Sequence, residues 1–172
     1  MTPLRVVAVG RTERALLEAA RDALACEFDA PCTIASPAID PAFAYHPERN
    51  QHHSTMLLDL IARQTSGDEI LIGVADVDLF IPILTFVFGE AQMGGRAAVI
   101  SSHRLQQEFY GLPADAALLR ERVAKEAVHE AGHVFRLTHC DDYQCVMAAS
   151  YSVEWLDLKG RELCAGCRAT VG

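Results

Sequence analysis

Apolar residues follow two rhythms along this chain, short unbroken runs and repeats of helical period, and their alternation predicts layers of strand and helix. Residues 4–10 (LRVVAVG) are a candidate buried strand. Residues 12–28 are rich in Ala and Leu, with apolar positions at helical spacing behind Thr12 as cap and Pro31 ending the helix. A short strand is expected over 33–35, then a Pro-punctuated loop from Pro37 to Pro47, then a helix over 54–64 carrying Met56, Leu57, Leu60 and Ile61. Residues 69–74, 85–88 and 97–101 have strand character, with a turn at Gly94 and Gly95. Asp76 and Asp78 are placed to cap or bend the loop after the first of these. A further helix over 152–162 would turn Val153, Leu156 and Leu163 inward and Lys159 outward.

The longest helix should begin after Pro113, with Asp115 in its first turn, and run to about Phe135. Its core stripe is Leu119, Val123, Ala127, Ala131 and Val134. From Ala127 to His129 the helix turns through about 200°, so the histidines of the segment HEAGHVFRLTHC face away from the core. His129 and His133 lie one turn apart on that face, where both reach one tetrahedral zinc, and Glu130 flanks them where a water would sit. His139 would lie about 15 Å along the axis from His129 if the helix continued, so the helix must end between His133 and His139. Three neutral imidazoles leave a zinc ion's charge uncompensated, the condition that brings a bound water's pKa to about 7 and leaves a fourth position open. The competing reading is a set of surface histidines on an Ala-rich helix.

Cys140, Cys145, Cys164 and Cys167 form one spaced pair and one CAGC pair, the arithmetic of a closed four-thiolate zinc site. Such a site would tie the chain after His139 to the C-terminal end. Two disulfides, or a redox-active CAGC with a strand before it and a helix after it, are the alternatives. The CAGC pair is expected at the end of a helical pattern instead. By spacing alone Met147 is a core residue on a short turn.

Taken together, HEAGHVFRLTHC, CVM and CAGC resemble the pattern of the archaemetzincins, a subfamily of the metzincin-clan zinc metallopeptidases. The motifs cover the last quarter of the chain, and DEILIGVADVDLFIPILTFVFGEA and AAVIS extend the likeness more loosely from about Leu4 onward. The resemblance implies an α/β (α+β) fold, a twisted mixed sheet with one antiparallel edge strand packed on helices that include the active-site helix. It also implies that His129, His133 and His139 hold a catalytic zinc, that Glu130 is the general base, and that Cys140, Cys145, Cys164 and Cys167 hold a structural zinc. Met147 becomes the methionine of the turn beneath the metal, and Thr85, Phe86, Val87 and Phe88 the edge strand that binds extended substrate; an ordinary half-buried strand is the plainer reading of those four. One position departs from the pattern, Arg136 standing where the family has Gly. A β-carbon in a left-handed helix stop costs roughly 1–2 kcal/mol. The interval from Met147 to CAGC is also one residue shorter than the family's.

With 172 residues and 51% hydrophobic composition the chain is expected to form one domain, 1–172, with a sheet and helix part over about 1–135 and a zinc-stapled part over about 136–172. A net charge of -8 argues against nucleic-acid or anionic-membrane partners. The N-terminal run lacks the marks of a signal peptide, and no stretch approaches a transmembrane length, so a cytoplasmic location is expected; the chain is also expected to be a monomer. In a reducing interior Cys26 and Cys32 are expected as small buried thiols, with a disulfide between them as the alternative. His46, His52, His53 and His103 read as surface or loop histidines. Tyr151 is a weak candidate to stabilise an oxyanion. The expected function is hydrolysis of peptide bonds in peptides or unstructured proteins, with two Zn2+ per chain. The alternatives are a non-catalytic zinc-binding protein and a hydrolase of non-peptide amides.

Overall fold

The computed structural model describes residues 2–171. Four strands form the parallel body of the main sheet: β1 (Leu4–Val9), β2 (Cys32–Ile39), β5 (Ile70–Ala75) and β8 (Ala97–Ser101). With the short strand β7 (Gly89–Ala91) they stand in the order β2-β1-β5-β8-β7, and β7 runs antiparallel to β8 at the edge. This is the mixed sheet with one antiparallel edge strand. A second sheet joins β3 (Tyr45–His46), β4 (Gln51–His53) and β6 (Leu79–Phe80).

Strand side chains alternate between faces, so Val6, Ile72, Val74 and Ile100 meet one layer, and Val7, Val9, Leu71 and Val99 the other. The first layer is α1 (Arg14–Glu27) and α3 (Ala116–Val134), through Leu16, Leu17, Ala20, Leu24, Val123, Ala127 and Ala131. The second is α2 (Ser54–Arg63), through Leu57, Leu58 and Ile61. Covered on both faces, β1, β5 and β8 have almost no polar side, which is why their sequences read as near-continuous apolar runs; the edge strand β2 is half exposed and carries Thr33, Ser36 and Pro37.

Several expected boundaries move. Thr12 does not cap α1. Glu13 holds the cap position without a side-chain bond, and the Thr12 hydroxyl donates to Val74 O at 2.5 Å, fastening the start of α1 to the end of β5. The helix ends at Glu27, four residues before Pro31, and Asp29 takes a left-handed conformation just beyond its C-cap. β2 runs through Pro37 to Ile39, beyond the expected 33–35, because it lies at the sheet edge where a missing N–H is tolerated. Asp115 is the N-cap of α3 instead of a first-turn residue, accepting the Leu118 N–H at 2.9 Å.

The expected strand at Thr85, Phe86, Val87 and Phe88 is a loop in which Val87 alone pairs, with Leu79; the edge ladder begins just past it, at Gly89. Phe86 and Phe88 pack against each other with ring centroids 5.1 Å apart, and the Arg104 guanidinium lies over Phe86. Aromatic and β-branched residues favour strands by packing on a pleated face, and here they pack on each other. Near the C-terminus, α4 (Val153–Leu158) is shorter than expected and α5 (Ala165–Val171) follows Cys164, so the CAGC pair opens a helix instead of closing one. Lys159 does not point outward: its backbone leaves α4 in an extended conformation and the side chain is buried, while Val153, Leu156 and Leu163 are inward as expected. Among the described residues, no helix is long and apolar enough to cross a membrane.

Candidate metal centre and active site

The site begins where α3 stops. Arg136 has φ +70, its N–H bonds to His133 O at 2.9 Å, and the Leu137 N–H bonds to Gly132 O at 2.9 Å. Those two bonds are the paired closure that ends a helix around a left-handed residue, so Arg136 adopts the conformation for which glycine is the usual choice. The chain reverses there and carries His139 back to the helix. Ring centroids then stand 5.3 Å apart for His129 and His139, 5.1 Å for His133 and His139, and 4.7 Å for His129 and His133.

Two backbone carbonyls orient the helical pair. His129 Nδ1 donates to Val146 O and His133 Nδ1 to Leu137 O, each at 2.8 Å. With its hydrogen on Nδ1, each ring presents a bare Nε2, and the two Nε2 atoms face each other at 3.2 Å. Two lone pairs so placed repel unless a cation stands between them, and this donor set fits zinc. One ligand nitrogen from each of the three histidines lies within 4.8 Å of the other two. Burial lowers the pKa of all three, which keeps the imidazoles neutral and able to ligate.

Glu130, buried between α3 and β7, has its pKa raised well above the usual carboxylate range, first by burial and then by the charge of Glu126, with Lys159 opposing. A β-carbon on Gly89 would stand 2.7 Å from Glu130 Cγ, so a residue without a side chain admits the carboxylate next to the edge strand. The cleft above holds about 490 Å³. Glu130, the three histidines, Thr85–Phe88, Gly89–Ala91 and Tyr151 line it. The side chains predicted for substrate thus border the cleft, but as loop, with β7 supplying the edge.

Met147 is fully buried below the histidines, with its sulfur against Gly132, and its carbonyl accepts the Cys140 N–H at 3.0 Å. Behind it Cys140, Cys145, Cys164 and Cys167 gather their sulfurs within 4.8 Å of one another. Cys140 Sγ and Cys164 Sγ are 3.8 Å apart. That is the edge of a tetrahedron with zinc–sulfur bonds of about 2.3 Å, and far beyond the length of a disulfide. The pKa of the Cys164 thiol is brought down to about 7, chiefly by a backbone hydrogen bond involving Cys167.

Pattern reading missed Glu126 and Lys159, which are buried beside His129 and Glu130, and Glu90, which Ser54 and Thr55 hold by hydroxyl hydrogen bonds. Glu126 had a readable signal, being one helical turn before Glu130. Lys159 had none. His46, His52, His53 and His103 join no metal cluster among the described residues. Cys26 and Cys32 are unbridged, and Cys26, expected buried, is exposed because it falls on the outer face of α1. Asp76 accepts the Arg11 N–H at 3.1 Å and Asp78 pairs with Arg104 at 2.8 Å.

This arrangement of helix, reversed third histidine and four-cysteine cluster defines a zinc metallopeptidase, and comparison with known proteins agrees. Residues 51–171 match the profile of Peptidase family M54. The archaemetzincin of Methanocaldococcus jannaschii is 44% identical over 132 residues, 76% of this chain and 72% of that protein. That of Haloarcula marismortui is 36% identical over 169 residues, 96% of this chain and 97% of that protein. The crystal structure of the archaemetzincin from Archaeoglobus fulgidus, complexed with malonate, superposes with a TM-score of 0.84 at 35% identity, covering 98% of this chain and 99% of that one. A zinc-dependent peptidase from Methanocorpusculum labreanum gives a TM-score of 0.87 at 29% identity, covering 98% and 100%. The chain belongs to Peptidase family M54, the archaemetzincins.

Proposed function

We propose that this chain hydrolyses peptide bonds in the cleft between α3 and β7, with His129, His133 and His139 holding zinc and Glu130 acting as general base. The observation that carries the reading is the pair of bare Nε2 atoms of His129 and His133, 3.2 Å apart at the floor of a cleft that also holds a buried carboxylate. When bound there, zinc supplies a Lewis acid that polarises the scissile carbonyl and acidifies water. Glu130 takes the proton of the attacking water and hands it to the leaving amine, a role suited to a carboxylate whose pKa burial has raised. The unpaired side of β7 offers backbone N–H and C=O groups to an extended peptide, which gives affinity with little sequence preference and favours short or unstructured substrates.

Among the described residues no fourth His, Cys, Asp or Glu donor joins the three histidines, which favours catalysis over a purely structural metal. The four-cysteine cluster is the closed, structural counterpart. It adjoins His139 through Cys140 and so braces the loop that carries the third ligand. Likeness along 96% of the chain to a relative of nearly equal length supports one domain over 1–172. The unbridged Cys26 and Cys32 suit a reducing compartment and so a cytoplasmic location.

Elemental analysis of protein purified without added zinc tests the metal assignment. Two zincs per chain should fall to one in His133→Ala and to one in Cys164→Ser. Glu130→Gln should keep both zincs and lose hydrolysis of an unstructured peptide; undiminished turnover would remove Glu130 as base.

A further inference from the structure

Lys159 and Glu126 are each only 3% exposed, and both lie against the metal-binding turn of α3. The Lys159 Nζ stands 3.2 Å from Ala148 O, 3.3 Å from His129 Nδ1 and 3.6 Å from Glu126 Oε1. His129 Nδ1 therefore faces two groups that demand opposite things of it. Val146 O can only accept, so it requires the hydrogen on Nδ1 and leaves Nε2 bare for a metal. An ammonium can only donate, so a bond from Lys159 requires a lone pair on Nδ1, and in a neutral ring the hydrogen then moves to Nε2, where it blocks ligation.

What decides between them is where Lys159 spends its hydrogens. Glu126 Oε1 has no hydrogen-bond partner of its own and is the buried countercharge of Lys159. Its carboxylate competes with the ring for the hydrogens of the ammonium. We infer that Glu126 is a positioning residue, acting through Lys159 to keep His129 in the tautomer that presents Nε2 to zinc. This rests on His129 being a zinc ligand. With the charge of Glu126 removed, the hydrogens of Lys159 go more to its two close neighbours, Ala148 O and His129 Nδ1, and the wrong tautomer gains. With Lys159 also removed, nothing competes with Val146 O, and the charge of Glu126 no longer matters to the ring.

The test is a double-mutant cycle of Glu126→Gln and Lys159→Met, read by chelator competition for zinc at the histidine site and by nitrogen NMR of the His129 ring in zinc-free protein. Glu126→Gln should weaken zinc binding by about 10- to 100-fold, the usual effect of disturbing a group behind a metal ligand, and should shift the ring toward the Nε2–H form. In the Lys159→Met background the same substitution should change affinity by about twofold or less, the scatter of independent sites. A merely structural Glu126 would show the same loss in both backgrounds, and that result overturns the inference. So does a Glu126→Gln protein with wild-type affinity and an Nδ1–H ring. If Glu126→Gln alone does not fold, the comparison of Lys159→Met with the double variant still decides, since a loss there contradicts the mechanism. His129→Ala with undiminished zinc affinity would instead end the ligand assignment itself.

Discussion

The thioether of Met147 fills the space beside Gly132 that a β-carbon would occupy, with its Cε 3.0 Å from that point. Gly132 immediately precedes His133, so the methionine lies under a metal-binding turn only because the residue above it lacks a side chain. Mid-helix, Gly→Ala normally gains about 1 kcal/mol. Here overpacking should outweigh the gain, since inserted atoms in a packed core cost about 1–3 kcal/mol and Met147 is fully buried. Gly132→Ala should therefore unfold several degrees below the wild type in a thermal melt. A raised melting temperature would mean that Met147 has somewhere else to go.

Gly89 stands in a similar relation to Glu130, on the opposite wall of the cleft. A methyl group there would lie 2.7 Å from Glu130 Cγ and 2.8 Å from Oε1. On the proposed role of Glu130 as base, Gly89→Ala should displace the carboxylate and lower kcat by about 100-fold, the effect of misplacing a reacting group by about 1 Å. Both zincs should remain. Wild-type kcat in this variant would show that the edge strand does not fix Glu130.

Arg136 holds φ +70 and stacks its guanidinium over Gly94, where a β-carbon would come 3.0 Å from Cζ. The left-handed conformation strains any residue that has a β-carbon, so comparing Arg136→Ala with Arg136→Gly isolates the strain from the lost packing. The glycine variant should be the more stable of the two by about 1 kcal/mol, since relief of about 1–2 kcal/mol exceeds the extra entropy glycine loses on folding. Equal stabilities in denaturant titrations would mean that the turn relaxes around the side chain.

What the sequence revealed and what it hid differ by range. β1, β5, β8 and α3 were legible because burial on both faces, or on one stripe, writes a period into neighbouring residues. The histidines and cysteines were legible because metal geometry does the same. β7 was not, because Gly-Glu-Ala has no strand preference; it is held by β8 and by the need to clear Glu130. Lys159 was assigned outward because lysine usually is, and only its approach to Glu126, thirty-three positions upstream, turns it inward. Local pattern carries no record of such a pairing.

That buried charge gives Glu130 a signature in stability as well as in rate. Its pKa in the folded chain is raised well above the model-compound value of 4.5, by burial first and by Glu126 second. A carboxyl raised on folding contributes stability that is whole below its unfolded pKa and is lost as pH rises through the folded one. Glu130→Gln removes that titration and nearly preserves the side chain's size. In zinc-free protein the two melting temperatures should therefore differ by a constant below about pH 4.5, and the variant should gain on the wild type steadily toward neutrality. The histidines have the opposite sense. Their lowered pKa values make the unfolded chain bind more protons below about pH 6.5, so both proteins lose stability on acidification and the difference cancels in the comparison. Adding zinc should narrow the gap at neutral pH, because a nearby cation favours the ionised carboxylate. Melting curves that stay parallel from pH 4 to 7 would mean that Glu130 titrates as an ordinary carboxylate and is not held in the buried position on which its proposed role as base depends.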